Sequence, residues 1–490
     1  QVNDPISGIL PKDIVEDSNG ELWIADNIRG MVRAVQPFLF YIYVPNGPST
    51  INVFNMVIEE RTLWVAPGAL SSFWGKTYND NGIFSLINGK WKVYNKWNHP
   101  GLDTVTDIVS IAIDPFDKTR VYAGSWDKGI VLFEAGVMKK IFNAENSALS
   151  VLEFPALGMF SIGVAGLCFD NDGNLWATNS GVSKNLVVRK RDGTWKAFNT
   201  NTPDMKMNEN VQGKIVIDHF NQQWILIGRG NGIQVYNHNN TIDNTADDKV
   251  KHIGTTTGKG GLPSTLITDI AVARDGEIWI GSDKGIAVIY SPGNVFTSYN
   301  YDAQQILVEQ DGYYQFLLES EYITAIAVDG ANRKWIGTER AGVFLISPDG
   351  TKEILHFTSE NSPLFSNAIT SIAIDHNTGE VFFGTDKGII SYRGTATKAE
   401  NIHSNVKVFP NPVHHEYTGP IAVSGLVEDA LVRITNISGS VVYSDKADGG
   451  QLVWYGKDMD GRKVATGVYL VFSSNSDGTE TMVAKILLIQ

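Results

Sequence analysis

The sequence predicts an all-β chain in two parts, a seven-bladed β-propeller followed by a small immunoglobulin-like β-sandwich. Three observations predict it: a strand-turn-strand phrase that recurs along most of the 490 residues, a glycine that opens the strand after it, and a change of rhythm near Arg393. The phrase reads KDIVEDSNGELWIAD at 12–26, AGLCFDNDGNLWATN at 165–179, TDIAVARDGEIWIGS at 268–282 and TAIAVDGANRKWIGT at 324–338. Four weaker copies keep phase, NVFNMVIEERTLWVAP at 52–67, VSIAIDPFDKTRVYAGS at 109–125, KIVIDHFNQQWILIGR at 214–229 and TSIAIDHNTGEVFFGT at 370–385. Units starting roughly 40 to 56 residues apart have the period of a four-stranded propeller blade.

Each piece of a unit has a physical reason. An alternating run such as Ile270 and Val272 ends at a polar turn with Gly276, and the next run carries Trp279 and Gly281; turn residues permit the reversal and the aromatic fills space between sheets. A third strand then opens at Gly129, Gly232, Gly285, Gly342 or Gly388, and a fourth carries paired aromatics, as in Trp91 with Tyr94 and Trp195 with Phe198. A sheet this small cannot bury both faces alone, so the units must stack and close, which also hides their edges. A string of separate sandwiches would not repeat one phrase so regularly. The expected ring has seven blades from about Ser49, with eight as the alternative count. Residues 1–48 are then a partial unit or the remnant of a preceding propeller, and the second unit is irregular, with an insert at 68–81.

After a propeller domain at 49–396, the polar, proline-bearing stretch 397–407 reads as a linker. From 408 to 490, short alternating runs separated by glycine (IAVSGL, LVRITNISG, VVYSD, GVYLVFSS, MVAKILLI) predict the sandwich.

Composition narrows the function. A net charge of -13 with no basic stripe argues against nucleic acid. No apolar run is long enough for a transmembrane segment. The single Cys168 lies in a strand and reads as a small core residue. No signal peptide pattern opens the chain at Gln1, as expected of a mature or trimmed form. GxSxG, HExxH and cysteine-histidine pairings are absent, and His219 and His376 stand at equivalent blade turns beside Asp218 and Asp375, a repetition that favours structure. The chain is therefore expected to be no enzyme and to need no cofactor.

Recognition is expected on the face carrying the loops between second and third strands and between blades. The 68–81 loop supplies Phe73, Trp74 and Tyr78, the following connection Trp97, and the next unit Trp126. These five aromatics are expected to cluster on one sector, as anchors for a ligand or as local packing. The run TIDNTADDKV offers Asp243, Asp247 and Asp248 as weak calcium candidates, without EF-hand spacing.

The tail carries a resemblance. FPNPV at 409–413, GPIAVSGL at 419–426, VRITNISGSVVY at 432–443, WYGKDMDGRKVATGVYLV at 454–471 and KILLI at 485–489, in that order, resemble the C-terminal sorting domain of proteins exported by the Bacteroidetes type IX secretion system. Pro410, Asn411 and Pro412 would stiffen its first turn, and its apolar faces are expected to include Val464, Val468 and Tyr469. With the propeller, and with YIYVPNGPS at 41–49, ILVEQDGYYQFLLESEYITAIAVDGANRKWIGT at 306–338, FTSENSPLFSNAITSIAI at 357–374 and GEVFFGTDKGIISYRG at 379–394, the chain resembles the PorZ family. That family is expected to have two propellers before its sandwich, so this chain is either the C-terminal portion of such a protein or a shorter relative.

The resemblance implies a non-enzymatic surface component of the type IX attachment complex, exported through the periplasm and held peripherally at the outer membrane. Its implied partners are a PorU-like sortase, PorV- and PorQ-like outer-membrane proteins, and anionic lipopolysaccharide presented to the sortase. The sorting domain would be retained, and a basic patch on the aromatic face would support binding of an anionic sugar. Two alternatives stand beside this reading: a secreted cargo with a carbohydrate- or protein-binding propeller, and a propeller polysaccharide lyase.

Overall fold

The computed structural model describes residues 10–26, 30–36, 39–43, 46–154, 159–202, 210–310 and 312–489, and among them there is no α-helix. Antiparallel sheets span 55–94, 108–142, 167–198, 212–253, 267–289, 323–357 and 369–393, each with its strands in sequence order. The first strand of each sheet touches the first strand of the next, and Ile369–Asp375 returns to Asn55–Glu59, so these seven sheets close a ring. Side chains tie the inner strands together. Met56 N donates to Ser371 Oγ at 3.1 Å across the closure, Ile111 N to Asn55 Oδ1 at 3.2 Å, and Ile326 N to Asp269 Oδ2 at 2.7 Å.

Second strands such as Gln223–Ile227, Ile278–Ser282 and Lys334–Thr338 are buried along their whole length, because a neighbouring sheet covers each face. Their tryptophans, Trp176, Trp224, Trp279 and Trp335, are among the largest fully buried side chains. Several third strands open on a positive-φ glycine where a side chain has no room. At Gly129 (φ 89°) a Cβ would stand 2.3 Å from the Phe142 carbonyl oxygen, and at Gly342 (φ 80°) 2.1 Å from that of Phe357.

The turn between first and second strands is held by one carboxylate. Asp170 accepts from the backbone N–H of Asp172 and Asn174, and its Oδ2 accepts from Asn174 Nδ2 and, at 2.9 Å, from Trp176 Nε1. Asp218 repeats this with Phe220, Gln222 and Trp224, the indole lying at 2.8 Å. Where Ala273 takes the aspartate's place, Trp279 Nε1 turns to Glu277 Oε2 at 3.1 Å.

The expectation of four strands per sheet fails twice. After Gly285–Ile289 the chain makes the 3₁₀ turn Pro292–Asn294 and leaves only the bridge of Gln304 to Val288. After Gly388–Arg393 it departs toward the tail. A further four-stranded sheet, 11–43, repeats the blade pattern outside the cycle, with Trp23 Nε1 on Asp17 at 3.1 Å. Its first strand, Pro11–Glu16, is exposed throughout, Ile14 and Val15 included.

The tail packs a three-stranded sheet on a five-stranded one around Val423, Val432, Ile434, Trp454, Val471 and Ile486. Val464 and Tyr469 are buried as expected. Val468 is not: successive strand residues face opposite ways, and it is 39% exposed while Tyr469 turns inward. Asn411 works like a piece of strand, its Nδ2 donating to the Lys485 carbonyl and its Oδ1 accepting from Leu487 N.

The sandwich docks on the ring face formed by the first-to-second-strand turns. In the sixth sheet, Asp329 Oδ2 accepts Arg333 Nε at 2.8 Å in place of the tryptophan, and Trp335 Nε1 is left buried without a partner. Arg333 Nη1 then reaches Thr395 Oγ1 and Asp448 Oδ2, each at 3.0 Å. Gly450 N donates to the Thr397 carbonyl at 2.9 Å and Lys398 N to that of His376 at 2.6 Å. Thr397 bridges Gly449, and Glu400 bridges Val427. The first residues of the 397–407 stretch are thus threaded between ring and sandwich. Glycines permit it, since a Cβ at Gly330 would lie 2.0 Å from the Thr397 carbonyl oxygen.

Candidate recognition face

The opposite face of the ring carries the loops singled out by the sequence. Its most elaborate loop, 67–82, is organised by Asp107, which is fully buried and has a positive φ of 51°. The Asp107 carboxylate accepts from the backbone N–H of Thr77, Tyr78 and Asn79 at 2.9–3.0 Å and from Thr77 Oγ1 at 2.6 Å. Lys76 pairs with Asp127 and also donates to the Phe160 carbonyl.

The loop reaches across the ring from the first sheet to the fourth. Trp74 lies on Gly213 and Gly228, where a Cβ would come within 2.6 and 2.5 Å of the indole, and Arg229 Nε donates to the Phe73 carbonyl at 2.9 Å. Trp126 packs against Trp74 with ring centroids 5.9 Å apart and donates its Nε1–H to the Trp74 carbonyl. With Val109, Ala165 and Val211 they form an apolar cluster at the mouth of the ring.

The five aromatics therefore divide. Trp126 is buried and Trp74 half-buried, while Phe73, Tyr78 and Trp97 stand in solvent at 78%, 62% and 83% exposure. Lys96 lies 5.2 Å from the Trp97 ring centroid and bonds Asp80 at 2.5 Å, holding that carboxyl below its usual range. Of the bases beside these aromatics, Lys76 pairs with Asp127 and Lys96 with Asp80, while Arg229 lies against Phe73.

The acidic run on the docking face disperses. Asp243 pairs with Lys190 at 3.1 Å, Asp247 accepts Asn239 Nδ2 at 2.7 Å, and Asp248 accepts the Tyr236 hydroxyl at 2.6 Å. Among the described residues, no group of three or more His, Cys, Asp or Glu side chains could hold a metal ion. His219 lines a concavity of about 320 Å³ with Phe220, Asp275 and Tyr290, on the face away from the aromatics.

Sequence reasoning missed a second aromatic group. A hairpin, Leu307–Gln310 paired with Tyr313–Phe316, projects between the fifth and sixth sheets, with Tyr313 78% and Tyr314 70% exposed. The signal was available in the sequence, since an Asp-Gly pair between two alternating runs predicts a hairpin.

A closed ring of small sheets with a docked C-terminal sandwich defines a propeller protein that carries a secretion-type tail. Residues 407–489 match the family described as secretion system C-terminal sorting domain, and residues 261–284 the two component regulator propeller. The chain is similar to PorZ of Porphyromonas gingivalis, described as an essential bacterial surface component of the type IX secretion system, with 25% identity and a TM-score of 0.69. The alignment covers 96% of this chain and 64% of that one, so the chain spans less than two thirds of its relative's length. A virginiamycin B lyase from Staphylococcus aureus (12% identity, TM-score 0.46, 71% of this chain and 96% of that one) and U3-55K (13%, 0.46, 69% and 90%) are too distant to carry an argument. No curated protein matches the chain.

Proposed function

We propose that the chain acts as a non-enzymatic, surface-retained component of a type IX secretion system, with its sorting domain kept as a working part. The likeness to PorZ and the match of the tail to the sorting family support the export route. The Arg333 contact supports the retention: Asp329, Arg333, Thr395 and Asp448 join ring, connecting chain and sandwich, Thr397 and Glu400 bridge the sandwich, and Lys398 N donates to the ring at His376. A segment bonded in this way resists the extended conformation that a processing enzyme requires.

The test is the intact mass of the protein recovered from cells. Retention of residues 408–490 is the expected result, and a mature form ending before 408 would make the protein a cargo. In the finer reading, the solvent-exposed Phe73, Tyr78 and Trp97 contact partners of the attachment complex, among them the sortase and lipopolysaccharide. Binding of purified lipopolysaccharide to the intact chain, compared with a Phe73→Ser/Trp97→Ser variant, tests it; equal binding would remove these residues from the account.

A further inference from the structure

The Leu307–Phe316 hairpin is built as a display element. Its root is fixed: Ile306 and Leu317 are buried, Leu317 N donates to the Ile306 carbonyl at 2.8 Å, and the Leu317 carbonyl accepts from Ile286 N at 3.3 Å. Beyond the root, two strands pair only with each other, and neither outer edge joins a described strand. An isolated two-stranded ribbon with exposed apolar side chains is marginal in water. Here Leu307, Tyr313, Tyr314 and Phe316 are all exposed, so they contribute little to the core that holds the ring.

Most of the charge around them is negative, with Lys284 exposed at the root, where its carbonyl accepts from Gln305 Nε2. Glu309 and Glu319 are exposed and Glu321 half-buried, and none of the three pairs with a base among the described residues. Glu339 lies next to this group across the Tyr322 side chain, paired with Arg340. Exposed tyrosines on a fixed support, rimmed by unpaired carboxylates, are the anatomy of a protein-binding hot spot that selects a cationic partner. A free strand edge adds main-chain hydrogen bonds to an extended segment.

We propose that this hairpin docks an extended, lysine- or arginine-bearing segment of a partner protein by strand addition, with the tyrosines as apolar anchors and the glutamates as charge partners. An anionic lipid or glycan surface would meet repulsion at the same place. The inference stands apart from the secretion reading, since it rests on the hairpin alone.

Fluorescence anisotropy of a labelled peptide of alternating lysine and valine, titrated with the full chain, tests it. Saturable binding is expected, weakened at least tenfold by Tyr313→Ser/Tyr314→Ser and, independently, by Glu309→Lys/Glu319→Lys. Tyr299→Ser, an exposed tyrosine outside the hairpin, should leave it unchanged. No saturable binding, equal binding of an alternating glutamate and valine peptide, unchanged binding in either double variant, or tyrosine-dependent binding to lipopolysaccharide vesicles would overturn the proposal. Unchanged melting temperatures would show that the variants fold.

Discussion

Asp218 and Trp335 show at single-residue scale how a repeated phrase becomes structure. Asp218 satisfies four donors at once, so Asp218→Ala orphans an indole and an amide in a buried turn. It should cost about 2–4 kcal/mol, read as a lower denaturation midpoint. Trp335→Phe removes an N–H that has no partner and should cost less than Trp224→Phe, which strips a donor from Asp218. Cys168 takes its place in the strand as a half-buried side chain, and burial pushes its thiol up to about 11. It should therefore react slowly with thiol reagents in the native state near neutral pH and quickly once unfolded.

His238 sets a pH dependence. It is 2% exposed, stacks 5.1 Å from Trp176, and burial lowers its pKa below 6.5. The unfolded chain then binds a proton more readily, so stability is full above about pH 6.5 and falls as pH drops through the lowered folded value. Melting temperature should decline across that window, and less steeply in His238→Phe. Little of this was legible beforehand: the recurring acidic turn and tryptophan were visible, whereas which carboxylate grips which indole depends on Arg333 and Ala273, substitutions inside the phrase.

Among the elements, the 67–82 loop departs most from its sequence reading. Its length and aromatics were plain, yet nothing local announced that Trp74 would lie over Gly213 and Gly228, about 140 and 150 residues away in the fourth sheet. Gly228 therefore offers a clean test. A side chain there must displace the indole, so Gly228→Val should release the loop and leave the second strand of the fourth sheet paired. Faster proteolysis within 68–81, with little change in global melting, is the expected outcome. The strand pattern itself was legible because each ring sheet is covered alike on both faces, which forces the same buried positions in every unit. The missing fourth strands were not, since they depend on where the chain leaves the ring.

Across the whole molecule, ring and sandwich meet through a contact that only the assembled fold reveals. The sandwich and its sorting-type motifs could be read from their order along the chain, but the pairing of Arg333 with Asp448 joins residues far apart in sequence. Arg333→Ala would leave the 2%-exposed Asp329 side chain without its cation and should destabilise by about 3–5 kcal/mol. Asp448→Asn should act more gently on stability, because Asp448 is 41% exposed, while loosening the connecting chain toward added protease.

The docked tail also gives the molecule a direction. Whatever receptor grips the sandwich on its free side also fixes the tilt of the disc above it, because the two bodies share a bonded seam. The aromatic loops and the tyrosine ribbon then point away from the anchorage, as instruments do on a mast, and a partner approaching from the far side meets them first.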